Sequence, residues 1–222
     1  MTDIIFSHKI KLVDNIWEMH FMPTREIKFI PGQYADLYLK LPQITESRIF
    51  TITSLPGDET ISFTIKFPSP CSTYKQALLN LKQGDEMTMS EPKGDFILPR
   101  DSSRPLMFVA GGLGIASYVS MLKTTQYSHN AATTSLFYSH KHDEQLYQDL
   151  VSSRSSVNLY EFISPRKIAT RDILDHFQEK SLIYISGSGN FTLQIRDDLI
   201  SHGINPTVIL YDYFTGYNSR DF

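Results

Sequence analysis

The sequence predicts two domains, an antiparallel six-stranded β-barrel with one capping helix and then an α/β domain built on a parallel sheet. Residues 1–99 contain short alternating strands separated by Pro/Gly turns, which is typical of a small antiparallel barrel. From residue 105 to residue 222, strands alternate with helices, which indicates a parallel sheet covered on both faces. A chain of 222 residues is long enough to give each domain its own core.

The elements of the barrel follow from alternation and from turn residues. Pro31-Gly32 and Pro56-Gly57 break the chain where a strand cannot continue. The run 72–81 carries apolar residues at helical spacing, and Ser72 or Thr73 can serve as its N-cap. The predicted strands named by this pattern are 4–13, 16–22, 34–41, 48–54 and 60–67.

The elements of the α/β domain begin after a polar linker, 99–105. An apolar strand, 106–110, runs directly into Gly111-Gly112-Leu113-Gly114 and then into a helical segment that reaches Lys123. The remaining predicted strands are 133–139, 157–163, 182–186 and 207–211, and the remaining predicted helices are 144–151, 170–177 and 191–201.

Charge and composition exclude several classes of protein. A net charge of −3 and a pI near 6.1 argue against binding to nucleic acid or to an anionic membrane, since both need a basic face. The single cysteine, Cys71, can neither form an internal disulfide nor ligate an iron–sulfur cluster. The histidines lack a framework of carboxylates or cysteines, which predicts no metal site. Early charges and the lack of an apolar run of ~20 residues predict a soluble, cytoplasmic protein without a membrane span.

The strand 48–54 contains side chains suited to a nucleotide. The guanidinium of Arg48 matches phosphate, the ring of Phe50 can stack on a flat heterocycle, and Thr51 supplies a hydroxyl donor. Alternation puts Arg48 and Phe50 on one face of the strand and Ile49 and Thr51 on the other. Together they suit a flavin nucleotide. The other interpretation is a half-buried strand whose arginine faces water.

Two glycine turns follow strands of the predicted parallel sheet. Gly111-Gly112-Leu113-Gly114 comes after the first strand, and Ser186-Gly187-Ser188-Gly189 comes after the fourth. Ligands bind at the carboxyl ends of parallel strands, near the point where the strand order reverses. Glycine lets a phosphate or a flat ring approach the backbone, so the pair of turns predicts a nucleotide site.

The chain resembles the ferredoxin–NADP reductase superfamily over nearly all of its length. In that superfamily a flavin-binding barrel precedes a pyridine-nucleotide domain, and the resemblance implies an NAD(P)H-dependent flavoprotein reductase that holds FAD. The matching residues, in their order along the chain, are Pro31-Gly32-Gln33-Tyr34, Arg48-Ile49-Phe50-Thr51, Lys66, Ser72-Thr73, Gly84-Asp85, Gly94, Gly111-Gly112-Leu113-Gly114-Ile115, Tyr138-Ser139, Ser186-Gly187 and Asp212-Tyr213-Phe214-Thr215-Gly216-Tyr217.

The resemblance assigns residues of the barrel to the flavin. It implies that Arg48 grips the pyrophosphate, that Phe50 packs on the isoalloxazine or ribityl chain, and that Thr51 hydrogen-bonds near N5. Ile49 belongs to the same binding strand. A pyrophosphate at the start of the predicted helix favours FAD over FMN, which has no pyrophosphate. The other residues placed beside the cofactor are Lys66, Ser72 and Thr73.

The resemblance assigns residues of the α/β domain to the nicotinamide nucleotide. Gly111, Gly112 and Gly114 would admit the pyrophosphate and the nicotinamide ribose. Ser186 and Gly187 would flank the nicotinamide, and Ser139 and Lys141 would lie at the far end of the same nucleotide. The residues implied to be catalytic are Thr51, Ser186, Asp212 and Phe214.

Four positions depart from the pattern of the superfamily. Many relatives have Tyr at the position of Phe50 and Cys at the position of Ser186. A proline usually stands at the position of Ser117, and Asp212 replaces a usual Glu. None of these changes removes a charged anchor, so we expect them to affect catalytic speed more than cofactor binding.

The choice of nucleotide depends on the end of the second strand of the α/β domain. His140 and Lys141 suit a 2′-phosphate, which favours NADPH, whereas Asp143 and Glu144 weigh against it. Because cluster cysteines are missing, the resemblance implies an external acceptor protein, such as a ferredoxin, a flavodoxin or an oxygenase component. Two other functions stay open: a reductase of free flavin, and an electron-transfer or regulatory subunit with weak nicotinamide turnover. The sequence indicates no particular oligomeric state.

Overall fold

The structure, a computed structural model, describes residues 1–125, 134–152 and 157–214. It divides into two compact units, Met1–Ile97 and Leu98–Phe222. The first unit holds a six-stranded antiparallel sheet and the second a five-stranded parallel sheet, which confirms the predicted fold class.

The first unit is a closed barrel. Its strands are ordered β4-β3-β6-β1-β2-β5 and pair antiparallel throughout. Just beyond β4, an isolated bridge joins Ile52 to Phe63 of β5, so the two edge strands meet. The elements in chain order are β1 (Thr2–Val13), β2 (Ile16–Pro23), β3 (Tyr34–Leu39), β4 (Ser47–Thr51), β5 (Ile61–Lys66), α1 (Thr73–Leu79) and β6 (Glu86–Met89).

The strand predicted over 48–54 ends at Thr51, and the prediction of its last three residues is wrong. Beyond Thr51 the backbone bonds to a different neighbour, since the N–H of Thr53 donates to the carbonyl of Ser62 at 2.9 Å. The end of this segment therefore serves the closure of the barrel instead of extending the ladder with β3.

Helix α1 confirms the predicted helix within the barrel unit. Tyr74 and Leu78 are fully buried in the barrel core, because residues four positions apart share one face of a helix. Ser72 is the N-cap, and its Oγ accepts a hydrogen bond from the N–H of Lys75 at 3.3 Å.

The second unit is a parallel sheet with connecting helices. A 3₁₀ turn, Gly112–Ile115, joins β7 directly to α2. Helix α3 begins later than predicted because Tyr147 has a φ of 56°, which a helix cannot include. The elements are β7 (Leu106–Gly111), α2 (Ala116–Thr125), β8 (Thr134–His140), α3 (Gln148–Ser152), β9 (Val157–Ile163), α4 (Thr170–Leu174), β10 (Leu182–Ser188), α5 (Gly189–Ser201) and β11 (Ile209–Phe214).

The strand order of the second sheet creates a switch point. The order is β11-β10-β7-β8-β9, and every neighbouring pair is parallel. The chain proceeds from β7 outward to β9, returns to β10 on the other side of β7, and ends at β11. The order therefore reverses between β7 and β10, where open parallel sheets bind their ligands.

Candidate functional site

Arg48 lies on β4 beside the start of α1. Its guanidinium carbon is 5.5 Å from the centre of the Tyr74 ring, and Tyr74 is the second residue of the helix. The hydroxyl of Tyr74 donates to the carbonyl of Leu37 at 2.8 Å, and Leu37 is the Cα partner of Arg48 on β3. These contacts place Arg48 against Tyr74, which directly follows Ser72 and Thr73 in the chain. Arg48 therefore lies near the start of the helix at which the pyrophosphate is predicted.

The charge of Arg48 is paired but accessible. Its Nη2 donates to Glu46 Oε1 at 2.6 Å and its Nη1 to the carbonyl of Ser47 at 3.0 Å. The side chains of Arg48 and Glu46 are 40% and 52% exposed, and exposed pairs of this kind contribute about 0–1 kcal/mol. A pyrophosphate carries more charge than one carboxylate and can displace Glu46, so the guanidinium fits the predicted ligand.

We expect Glu46→Gln to strengthen FAD binding several-fold. The substitution removes a negative charge that holds the guanidinium at 2.6 Å and that would repel the incoming phosphates. Titration of the flavin-free protein with FAD measures the gain, which should shrink at high salt because exposed charges are screened. Glu91→Gln is the matched control, since Glu91 pairs with Arg25 at the same 2.6 Å. An equal gain in the control would show that net charge alone is responsible.

The other residues of the binding strand differ in their accessibility. Ile49 is 55% exposed, whereas Thr51 is 8% exposed. The ring of Phe50 is half-buried, and its centre lies 6.5 Å from that of Phe63 in the barrel core. Thr51 is the Cα partner of Tyr34, so β3 and β4 bring two of the matched motifs side by side. The contacts of these residues with a flavin remain predictions.

Lys66 ends β5 and is buried, with 4% of its surface exposed. Its carbonyl oxygen accepts a hydrogen bond from Lys75 Nζ at 2.7 Å, and Lys75 lies in the first turn of α1. Lys66 is therefore linked to the helix that also contacts Arg48. Its predicted place beside the cofactor is consistent with this link and stays a prediction.

Gly94 shows why two of the matched motifs occur together. Its φ is +110°, and a Cβ added at this position would lie 2.8 Å from the ring of Tyr34. The N–H of Tyr34 donates to the carbonyl of Lys93, and the N–H of Lys93 donates back to Tyr34. The aromatic ring and the glycine thus fit against each other, which is a packing reason for a glycine at position 94.

The two glycine turns of the second unit meet at the switch point. Ala110 of β7 is the Cα partner of Ser186 of β10. A Cβ added to Gly114 would lie 2.1 Å from the carbonyl oxygen of Ser186 and 2.9 Å from the nitrogen of Gly187. Gly112 has a φ of +52°, a conformation that favours glycine. Glycine at position 114 is therefore required by contact between the turns, a reason distinct from the predicted approach of a ligand.

Phe191 is a residue of this region that the sequence analysis did not single out. A Cβ added to Gly187 would lie 2.7 Å from its ring, and one added to Gly111 would lie 3.0 Å from it. Phe191 is the third residue of α5, and its N–H donates to Oγ of the N-cap Ser188 at 3.3 Å. Both glycines thus make room for a ring of the protein itself. An aromatic residue in the first turn after Ser186-Gly187-Ser188-Gly189 was the signal that could have identified it.

Ser186 and Asp212 occupy neighbouring strands. They are Cα partners in the pairing of β10 with β11. Burial raises the pKa of the Asp212 carboxyl above its ordinary value, while a hydrogen bond from the N–H of Tyr213 partly opposes the rise. Ser186 itself is fully buried, and its Oγ donates to Oγ of Ser117, also fully buried, at 3.0 Å. The hydroxyl predicted to flank the nicotinamide therefore points into the protein.

Two further predicted residues lie at strand ends of this sheet. Ser139 is the Cα partner of Gly111, which places it beside the first glycine turn. Phe214 ends β11, and its side chain lies outside the described residues. The rest of the matched motif, Thr215-Gly216-Tyr217, also lies outside them.

The basic side chains at the end of β8 lie beside carboxylates. His140 is buried, with its Nδ1 2.7 Å from the carbonyl of Lys141 and its Nε2 3.2 Å from Glu161 Oε1. Lys141 Nζ donates to Glu144 Oε1 at 3.3 Å. A 2′-phosphate would have to compete with these carboxylates, so the two residues that favoured NADPH favour it less in the fold.

Among residues 1–125, 134–152 and 157–214, no three His, Cys, Asp or Glu side chains are placed to hold one metal ion. Nor does any helix in the same ranges combine the length and the apolar character that crossing a bilayer requires.

Known proteins resemble this chain in sequence. No family model matches it. A flavohemoprotein from Bacillus cereus is 30% identical over 132 residues, which cover 55% of this chain and 33% of that protein. The toluate 1,2-dioxygenase electron transfer component of Pseudomonas putida is 26% identical over 204 residues, which cover 85% of this chain and 60% of that protein. The chain thus spans between 33% and 60% of the length of these two relatives.

Solved structures resemble it in fold. The ferredoxin-NADP+ reductase from Plasmodium falciparum matches with a TM-score of 0.81 at 19% sequence identity, covering 96% of this chain and 95% of that one. At this level of identity the match shows a shared fold.

Proposed function

We propose that this chain is a member of the ferredoxin–NADP reductase-like flavoprotein superfamily, and that it moves a hydride from NAD(P)H to bound FAD and passes the electrons to a separate acceptor. The observation that carries the proposal is the switch point of the second unit, where two glycine turns meet in a chain that also holds Arg48 on a closed barrel. Such a reaction needs a bound nicotinamide and a bound flavin. The switch point is the proposed site of the nicotinamide nucleotide, and Arg48 beside the start of α1 is the proposed site of the flavin pyrophosphate.

The barrel residues fit a flavin dinucleotide. Arg48 would pair with the pyrophosphate after displacing Glu46, and the capped start of α1 at Ser72 and Thr73 would add backbone donors. The exposed part of the Phe50 ring would pack on the flavin. Bound FAD supplies the capacity to accept two electrons together and to release them singly.

The second unit would hold the nicotinamide nucleotide at the switch point. Gly112 would admit its phosphates and ribose, next to Gly111 at the end of β7 and Ser139 at the neighbouring strand end. Glu161 and Glu144 offer carboxylates to a ribose hydroxyl, as sites for NADH do, while Lys141 offers a cation to a 2′-phosphate. This balance supports NADH at least as well as NADPH.

The protein groups would mainly position the reactants. Hydride transfer needs the two rings in contact and water excluded, and it requires no acid–base pair of its own. Partial burial raises the pKa of the Asp212 carboxyl above its ordinary value, so this group binds a proton more readily than an exposed aspartate does. Thr51 would tune the flavin through a hydrogen bond, and we expect its loss to lower the rate more than the affinity.

A separate protein is the proposed acceptor. The Pseudomonas putida relative is named as the electron transfer component of a dioxygenase, which supports a partner outside the chain. The one cysteine of this chain, Cys71, cannot ligate an iron–sulfur cluster by itself. We place the reaction in the cytoplasm, as the sequence predicts.

The visible spectrum of the purified protein tests the proposal. We expect a flavin band at about 450 nm that bleaches under anaerobic conditions when one equivalent of NADH or NADPH is added. The faster nucleotide identifies the preferred reductant. A band that persists with both nucleotides would favour a flavoprotein subunit with weak nicotinamide turnover. A colourless protein that FAD and FMN cannot reconstitute would rule out the flavin site at Arg48.

A further inference from the structure

Two buried serine hydroxyls join the glycine turns of the second unit. Ser186 lies on β10, and Ser117 is the second residue of α2. Both are 0% exposed, and the Oγ of Ser186 donates to the Oγ of Ser117 at 3.0 Å. We propose that this hydrogen bond is a clasp that sets the spacing of the two turns, and that Ser117 and Ser186 act as positioning residues for the nicotinamide nucleotide.

The geometry around the clasp leaves little freedom for the turns. Gly114 lies so near the carbonyl of Ser186 that an added Cβ would come within 2.1 Å of it. Close backbone packing fixes the distance between the turns, but it does not fix their direction, because van der Waals contact is not directional. A hydrogen bond between fixed hydroxyls supplies the missing direction.

The next residue of α2 strengthens the same connection. The hydroxyl of Tyr118 is fully buried and reaches the carbonyls of Val109 on β7, at 3.0 Å, and Tyr184 on β10, at 2.9 Å. Consecutive residues of one helix therefore bond to both strands that border the switch point. Tyr118 bonds to Val109 and Tyr184, which precede the glycine turns in their strands, whereas the clasp bonds to Ser186 at the start of the second turn.

The clasp also determines what Ser186 can do. A serine hydroxyl has one proton to donate, and Ser186 donates it to Ser117 within the protein. A fully buried side chain does not touch a ligand that arrives from solvent. Ser186 therefore acts through the position of Gly187 and of the first turn, and not by contact with the reacting atoms. This inference rests on the proposed function only in naming the nicotinamide nucleotide as the ligand.

A double-mutant cycle tests the clasp. The proteins compared are wild type, Ser117→Ala, Ser186→Ala and the double variant. We expect each single substitution to weaken the binding of NAD+ or NADP+ by about tenfold, and the double variant to bind no more weakly than either single variant, because both substitutions remove the same bond. Calorimetry gives the dissociation constants, and chemical denaturation gives the matching non-additivity in stability.

The kinetic arm separates positioning from direct contact. With FAD bound, we expect the single variants to raise KM while leaving the rate of flavin reduction at saturating nucleotide within about twofold of wild type. Ser186→Cys, which keeps a weak donor of similar size, should recover part of the lost affinity. Ser181→Ala is the control, since Ser181 is equally buried in this unit and accepts a hydrogen bond from the N–H of Gln178 at 3.1 Å. Its nucleotide affinity should not change.

Specific results would overturn the inference. If Ser186→Ala slowed flavin reduction at saturating nucleotide while Ser117→Ala changed nothing, Ser186 would be a catalytic residue in direct contact with the reactants. Additive effects in the cycle would equally exclude a clasp. If the wild type fails to reduce flavin at all, the proposed function fails, but nucleotide affinity and denaturation still decide whether the two serines act as one unit.

Discussion

Gly114→Ala should lower the free energy of unfolding of the second unit by ~3 kcal/mol or more. The new methyl carbon would lie 2.1 Å from the carbonyl oxygen of Ser186 and 2.5 Å from its carbonyl carbon. Both are backbone atoms of β10, which is paired with β7 on one side and β11 on the other. A flexible side chain could move away, but this backbone cannot move without breaking ladder hydrogen bonds.

Denaturation with urea, followed by circular dichroism, measures the effect. Gly189→Ala is the matched control, because the nearest heavy atom to its added Cβ is a ring carbon of Tyr213 at 3.8 Å, an ordinary contact. We expect the control to stay within ~1 kcal/mol of wild type, since alanine is the better helix former at the start of α5. A Gly114 variant as stable as the control would mean that the turns do not pack as described.

Arg48→Ala should weaken FAD binding by about 100-fold, which corresponds to the loss of charge-assisted hydrogen bonds to a phosphate. The free energy of unfolding should change little, because both side chains of the Arg48–Glu46 pair are exposed. Arg48→Lys should recover only part of the affinity, since an ammonium cannot reproduce the planar fork of a guanidinium. Fluorescence titration of the flavin-free variants with FAD gives the three dissociation constants.

The control for Arg48 is Arg25→Ala. Arg25 is also an arginine of the barrel unit, is 58% exposed, and donates to Glu91 at 2.6 Å in a pair like that of Arg48 and Glu46. Its loss should leave FAD affinity unchanged. Equal weakening in both variants would indicate that general positive charge, and not a site at Arg48, attracts the cofactor.

Much of the fold could be predicted from the sequence because periodicity and turn residues are local signals. The alternation over 60–67 and the Gly/Pro breaks predict barrel strands without any knowledge of their partners. The parallel sheet follows from alternating strands and helices, and glycine turns at strand ends mark the switch point. The N-cap at Ser72 could be predicted for the same reason, whereas the contact of Arg48 with Tyr74 joins β4 to a helix that follows β5 and has no local signal.

The features that escaped prediction depend on contacts between distant parts of the chain. Ser117 and Ser186 are 69 residues apart, and no local pattern shows that their hydroxyls meet. Likewise, the pairing of His140 with Glu161 arises because β8 and β9 are neighbours, and it changes the charge available to a nucleotide. When positions are compared one at a time with the pattern of the superfamily, Ser117 and Ser186 look like two separate departures. The fold shows that their hydroxyls form one hydrogen bond.

Closure of the barrel has a consequence for insertions and deletions. β4 is fixed on one side by its pairing with β3, in which Arg48 faces Leu37, and beyond its end by the bridge from Ile52 to Phe63. Because side chains alternate along a strand, a shift of one residue would turn every side chain to the opposite face and move the guanidinium away from Tyr74. A strand at an open edge of a sheet could shift its register by one residue, but β4 is held by neighbours on both sides and cannot. Length changes in this protein should therefore be tolerated in the turns between strands and not within β4, where one added residue would exchange the face that carries Arg48 and Phe50 for the face that carries Ile49 and Thr51.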